Sequence, residues 1–546
     1  MIKTFKVIVP SYSDLSLDMQ VETGQRHPVH ILVDGRPLHQ RIIESYAAGG
    51  DAFEFIFVLP PQAPGLNMPK DMPVRSRDLR MQSSSSIGET VAHALQELQQ
   101  GDGIIVHMGD TLLGFAQPPK QDTVFVENRN DLYRWTSISR QPAGDLKILG
   151  DRDQHAPAGE RQVCVGVFVF ADGALFSSLL RQALALQSKG MDPFFIALEQ
   201  YAAETTMNLV APHQWYDFGH LDTYQQSRMR QQNLRHFNEL HYDPERNVIT
   251  KRSRHVDAFR HQVRWYRQIP DELACYLPRV YESNDGAQPY ISMEFLSIPT
   301  LSELMVGVRL ETGAWNDVAR KLAHILTKLE QYGFNSPLAA AMASQVYVEK
   351  TRQRLGEYLA QETAVPQAWV DVAGVRVTLD FVLGHLQDYA NKHALTSLTR
   401  LTPIHGDLCF SNVLYDRRVR HVKLIDPRGE FAVPGIYGDP RYDKAKLLHS
   451  YRGGYDDIVA DRFEVELAVD GQIRFMPDHD RQSRERIGSI FSEQLFSGPQ
   501  ELREAHAIEA LLFLSMLPLH VDKPRRQLAM LYIGLQRFGQ LFMDSP

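Results

Sequence analysis

Residues Pro403–Gly429 read PIHGDLCFSNVLYDRRVRHVKLIDPRG, and their spacing decides how the half of the chain around them is read. His405-Gly406-Asp407 is followed, five residues after the Asp, by Asn412, and a short β-type run from His421 to Ile425 then delivers Asp426. Moving the γ-phosphoryl group of ATP asks little covalent chemistry of a protein. It asks for a carboxylate beside the attacking hydroxyl, and for an amide oxygen and a second carboxylate to hold Mg²⁺. Asp407, Asn412 and Asp426 supply those three groups in that order. An Asp-rich turn before a hairpin is the plainer alternative, but the full string with its intervening strand is far more specific than a lone glycine motif.

The segment resembles the aminoglycoside phosphotransferase and choline kinase family, a small-molecule branch of the protein-kinase-like fold. There HGDxxxxN stands in place of HRDxxxxN, and an Asp after a hydrophobic strand stands in place of DFG. The resemblance implies that Asp407 is the catalytic base, that Asn412 and Asp426 are Mg²⁺ ligands, and that ATP is the co-substrate. It assigns His405 to bracing the loop. Downstream, Gly438-Asp439-Pro440-Arg441-Tyr442-Asp443-Lys444-Ala445-Lys446 matches the family's GDPxxDxAK segment. An Asp that leads a helix caps free N–H groups, so Asp439 and Asp443 are expected to be structural. Arg428, two residues after Asp426, is placed to meet phosphate or a carboxylate.

Upstream, the pattern is that of a small strand-rich lobe followed by a helical one. A hairpin is expected up to Lys251, a helix over Val256 to Arg267, strands around Val280 and over Tyr290 to Glu294, and long amphipathic helices over 301–333, 339–362 and 375–393. Lys251, at the end of Asn247-Val248-Ile249-Thr250, is expected to hold the α- and β-phosphates. Its usual partner is a Glu on the next helix; here Gln262 stands at that position and brings no full charge. No GxGxxG is present, so Asn238 to Arg246 would have to cover the phosphates. The backbone near Glu294 and Leu296 is expected to meet adenine.

The first half alternates strands (Phe5 to Val9, Phe53 to Leu59, Gly103 to Met108, Val163 to Phe170) with helices (Pro37 to Ala48, Ile87 to Gln99, Ala174 to Ala185), and loops are expected at 60–75 and 150–160. That rhythm argues for a mostly parallel α/β sheet of Rossmann type. Val29–Glu44, VHILVDGRPLHQRIIE, resembles the LLPVxGxPLIxxxIE segment of sugar-phosphate nucleotidyltransferases. IIVHMGDT, ending in Asp110 and Thr111, and the WYDFG around Asp217 resemble their two metal-binding segments. The resemblance implies that Asp110 and Asp217 hold one Mg²⁺. Two departures stand out: VPSYSDLSLD has no glycine where a triphosphate cradle belongs, and Pro28 falls where a lysine belongs. The Ser83 to Gly88 loop, leading into a helix, is a further candidate for anion contact.

Two domains are expected, 1–228 nucleotidyltransferase-like and 236–546 kinase-like and bilobal (lobes about 236–298 and 299–546), joined through the polar stretch Tyr224 to Phe237. Hydrophobic residues make up 43% and charged residues 23%, an ordinary globular balance. A net charge of −8 argues against general nucleic-acid binding. Three distant cysteines (Cys164, Cys275, Cys409) allow no disulfide framework, which fits a cytoplasmic setting. The longest apolar stretch, Ala510 to Leu519, is too short to insert in a membrane.

The leading expectation is a Mg²⁺- and ATP-dependent kinase acting on a hydroxyl of a sugar, polyol, sugar acid or amino alcohol. By resemblance of the two-part layout, it would serve a bacterial capsule or surface-polysaccharide precursor. Two alternatives stay open: a bifunctional kinase and nucleotidyltransferase using CTP or another NTP, and a non-catalytic nucleotide-binding scaffold.

Overall fold

The computed structural model describes all residues except 1–3, 34–35, 67, 69–74, 98–100, 130–134, 142–145, 150–160, 187–190, 233–237, 244, 308–309 and 545–546. The expected loop at 150–160 and the end of the expected junction at Phe237 therefore lie outside the described residues. The chain divides into two compact units, Met1–Gln232 and Asn233–Pro546.

The first unit is built on a mixed sheet. Phe5–Pro10 lies between Phe53–Leu59 and Gly103–His107, parallel to both, and Arg75–Arg80 adds a further parallel strand. Arg161–Phe170 then runs antiparallel beside Gly103–His107. Successive side chains of a strand point to opposite faces, and here both faces are apolar. Phe5, Val7 and Val9 join Leu38 and Ile42 in one core, while Ile8, Ile56 and Val106 join Val91, Phe176 and Phe194 in another. The helices Leu38–Ser45, Ile87–Ala94 and Gly173–Ala185 supply the covering side chains. Arg75–Arg80 has no apolar alternation to announce it; the ladder with Phe53–Leu59 holds it as a strand.

The second unit begins with a four-stranded antiparallel sheet in the order Asn238–Asp243, Val248–Ser253, Tyr290–Glu294, Val280–Asn284. The helix Val256–Gln268 packs on it through Phe259 and Val263, against Ile291 and Met293. Its next turn carries Trp265 into the larger core of the helical lobe, where the indole N–H donates to the Ile404 carbonyl at 2.7 Å. That lobe is a bundle including Thr312–Gln331, Pro440–Tyr451, Pro499–Met516 and Pro524–Met543.

Two expectations about helices are corrected, and a third helix carries a π turn. Over 301–333 there are two helices, Leu301–Gly307 and Thr312–Gln331. Over 339–362, Ala339–Ser344 passes through a π turn, Gln345–Glu349, into Lys350–Leu359. At 375–378 the chain is a strand, Val375–Thr378, paired with Trp369–Val372 before the helix Leu379–Lys392 begins. VDVAGVRVT alternates β-branched residues around Ala373 and Gly374, which sit at φ of 51° and 83°, so the two-residue hairpin prevails over the helical period. No described helix is long and apolar enough to cross a membrane.

Candidate active site

The catalytic-loop candidate is held from beneath by Asp443. Its two carboxylate oxygens accept the backbone N–H groups of His405 (2.6 Å) and Gly406 (2.9 Å). Burial pushes the Asp443 carboxyl up to about 7, against the downward pull of those two donors. Asp439 works one turn earlier: it caps Pro440–Tyr451 at the Arg441 N–H, accepts the Tyr347 hydroxyl at 2.9 Å and pairs with Arg441 at 2.7 Å. His405 is fully buried, and burial lowers its imidazole to about 4, so it is neutral. It joins the Ile425 carbonyl through Nε2 (2.9 Å) and the Asp407 N–H through Nδ1 (3.3 Å). A neutral ring with both nitrogens engaged ties the catalytic loop to the strand that delivers Asp426.

Above this brace, Asp407, Asn412 and Asp426 line one cavity of about 450 Å³. Burial raises the Asp407 carboxyl, but Lys446, at 3.0 Å, and Arg428 outweigh it and hold the group at about 2. Asn412 turns its amide N–H groups toward the Asp407 carbonyl (2.9 Å) and carboxylate (3.3 Å), which leaves its amide oxygen as a donor for a cation. Asp426 sits at φ 56°, a left-handed backbone that Asp tolerates better than most residues. The hairpin Val413–Asp416 with His421–Leu424 joins the two ligand candidates. An amide oxygen and a carboxylate are hard ligands suited to Mg²⁺ with nucleotide phosphates completing the shell.

Lys251 reaches Asp426 Oδ1 at 2.7 Å, and the Gln262 amide donates to the same oxygen at 3.5 Å. Gln262 is thus brought to the ligand candidate, and both side chains meet on it. The helix can come this close because Gly429 (φ 67°) passes under it; a Cβ there would lie 2.2 Å from the His261 carbonyl oxygen. Arg428 lines the cavity with Asp407. At the expected adenine edge the backbone is partly engaged. The Glu294 N–H already donates to the Arg279 carbonyl at 2.8 Å, whereas no hydrogen bond to the Leu296 backbone forms among the described residues. Cys409 is a buried packing residue whose sulfur is 3.2 Å from the Ser411 hydroxyl.

Three further cationic side chains line the cavity. Lys446 falls three residues after Asp443, hence on the same helical face. Lys350 and Arg354, four apart, share a face of Lys350–Leu359.

In the first unit, Gln214–Asp217 pairs antiparallel with Thr111–Gly114, and the Phe218 N–H donates to the Asp110 carbonyl at 2.8 Å. This brings Asp110 and Asp217 together over Gly219: a Cβ there would lie 2.6 Å from Asp110 Oδ2 and 3.5 Å from Asp217 Oδ1. Burial, with the neighbouring Asp217 charge, pushes the Asp110 carboxyl up to about 6. Asp217 also accepts the Thr223 hydroxyl and faces His220 Nδ1 at 3.3 Å. Where a triphosphate cradle would lie, the Ser11 N–H instead continues the ladder to the Val58 carbonyl (3.0 Å), and Asp14 pairs with Arg26 at 2.8 Å. In the Ser83 to Gly88 loop, Asp192 accepts the N–H groups of Ile87 (2.7 Å) and Gly88 (2.9 Å), and Glu89 accepts that of Ser85 (2.6 Å). Asp34 and Gly35 of the Val29–Glu44 segment lie outside the described residues.

Among solved structures, a nucleoside-diphosphate-sugar pyrophosphorylase from Vibrio cholerae RC9 is similar at 15% identity and a TM-score of 0.33, over 41% of this chain and 99% of that one. An inositol-1-phosphate CTP transferase from T. maritima is similar at 13% identity and a TM-score of 0.30, over 43% of this chain and 98% of that one. Comparison with curated proteins finds no match. Residues 239–477, which hold Lys251, Asp407, Asn412 and Asp426, match the model of the phosphotransferase enzyme family APH, and this supports a kinase-like enzyme.

Proposed function

We propose that the chain is an ATP- and Mg²⁺-dependent phosphotransferase that phosphorylates a hydroxyl group of a small molecule. The observation that carries this reading is the convergence of Asp407, Asn412 and Asp426 on one cavity, with a lysine on each carboxylate. Asn412 Oδ1 and Asp426 would hold Mg²⁺, which neutralises phosphate charge when bound. Lys251 sets a cation beside Asp426 for the phosphates. Asp407, held at about 2, is ionised at neutral pH but is a weak base. Its work is to accept the hydrogen bond of the acceptor hydroxyl and align its oxygen, with the proton taken late; a loose phosphoryl-transfer transition state asks no more.

The product would serve as an activated precursor of a capsule or surface polysaccharide, in keeping with the paired acids of the first unit. Those acids favour a second reading, nucleotidyl transfer by the first unit. Asp110, held up beside Asp217, is a carboxylate pair that a divalent cation would relieve. Pyrophosphate release from CTP that is lost in Asp110→Asn would support it, and CTP turnover unaffected by that change would remove it.

The main reading is tested by Asp407→Asn and Asp426→Ala. Asp407→Asn should lower phosphoryl transfer by roughly 10²–10⁴-fold while Mg·ATP affinity stays within about threefold. Asp426→Ala should abolish the thermal shift given by Mg·ATP. Turnover preserved in the first, or nucleotide affinity preserved in the second, would overturn the assignments.

A further inference from the structure

The cavity in front of Asp407 has a mixed lining. Lys350, Arg354, Arg428 and Lys446 bring four cations to it, and Ile508, Leu511, Leu512, Met516 and Leu519 bring apolar side chains. Its carboxylates are Asp407 and Asp426, and each is already held by a lysine, Lys446 at 3.0 Å and Lys251 at 2.7 Å. Arg354 has Glu357 at 3.0 Å. Lys350 is different. It is half-buried, and among the described residues it forms no ion pair. Burial, then Arg428 and Arg354, lower its ammonium to about 8, with Lys446 adding to the effect and Glu430 opposing it. It follows directly on the π turn Gln345–Glu349, an irregularity that widens a helix and often marks a binding site.

A half-buried ammonium kept among three other cations is unfavourable unless an anion comes to it. We propose that the acceptor carries an anionic group, carboxylate or phosphate, beside its hydroxyl, and that Lys350 with Arg354 receives it. This rests on the kinase reading for the hydroxyl and adds the charge class of the substrate. The same four cations argue against aminoglycoside- or choline-type acceptors. A cationic acceptor would meet four cations, and both carboxylates of the cavity are already paired. The apolar side chains of the lining suit the carbon skeleton of such an acid. Lys350 could instead contact the γ-phosphate of ATP, and the test separates the two roles.

The full chain is titrated with D-glycerate, D-glucuronate and glycerol 3-phosphate, with neutral glycerol and glucose, and with cationic choline and kanamycin. Each titration is followed by thermal shift with and without Mg·AMP-PNP. The anionic members should raise the melting temperature and the others should not; the acids against the phosphate ester tell which anion is preferred. Lys350→Gln should weaken the anionic ligands about tenfold or more, the scale of one charge-assisted hydrogen bond, with Mg·AMP-PNP binding unchanged. Lys350→Arg should restore part of the affinity. Binding of neutral or cationic members as strong as that of the anions would overturn the proposal, and so would no shift with any anion. Equal weakening of Mg·AMP-PNP and anions in Lys350→Gln would assign Lys350 to nucleotide and overturn it too. Anion shifts that persist in a wild type failing to bind Mg·AMP-PNP would remove the kinase reading and leave the anion site standing.

Discussion

Asp443 shows how much of a catalytic loop can rest on one buried side chain. Asp443→Asn keeps the shape but has one acceptor oxygen, so either the His405 or the Gly406 N–H loses its partner. An orphaned buried donor costs about 1–3 kcal/mol, and calorimetric melting should register a loss of that size. The pH dependence should change with it. The Asp443 carboxyl is raised to about 7 when folded, so the folded state holds a proton there that the unfolded chain has released. Stability from this group is fully present below about pH 4, where the unfolded carboxyl titrates, and is lost as pH rises through about 7. Asp443→Asn should flatten that slope. A variant with unchanged melting at both pH 5 and pH 8 would show that Asp443 is not the brace.

At the scale of elements, the active site depends on a helix and a turn passing unusually close. Val256–Gln268 presents Gln262 to Asp426 only because Gly429 runs beneath its backbone. Gly429→Ala would place a methyl 2.2 Å from the His261 carbonyl oxygen and add a side chain at φ 67°. The turn must move, and Asp426, three residues away, moves with it. The expected result is a loss of roughly 1–3 kcal/mol in stability together with weaker Mg·ATP binding, read by titration. Nucleotide affinity equal to wild type would show that the contact does not position Asp426. The π turn acts in the same local way for Lys350. It holds Tyr347 and Val348 buried in the helical lobe.

At the scale of the molecule, each unit encloses its own apolar cores, those of the first in its sheet faces and those of the second in its two lobes. A piece comprising residues 233–546 should therefore fold and keep the Mg·AMP-PNP thermal shift of the full chain. A piece that folds but shows no shift would mean that the nucleotide site needs the first unit.

The residue types and spacing of Asp407, Asn412 and Asp426, the β-rich runs of the first unit and the Lys251 strand were legible in the sequence, because each depends on a local string or a period of two. The same locality explains the failures. A hairpin at Val375–Thr378 lay hidden inside a helical window, and the polar strand Arg75–Arg80 exists only through its neighbour's ladder. The sequence by itself determined which chemistry the chain carries: carboxylate, amide and lysine in kinase order. Only the tertiary structure decided the surroundings of that chemistry. Lys446 and Arg428 hold the Asp407 charge, Gln262 turns to Asp426, and Lys350 faces the cavity among other cations. The physical reason is distance. Charge and burial act over a few ångströms, and Gln262 and Asp426, 164 positions apart, share no short window of sequence.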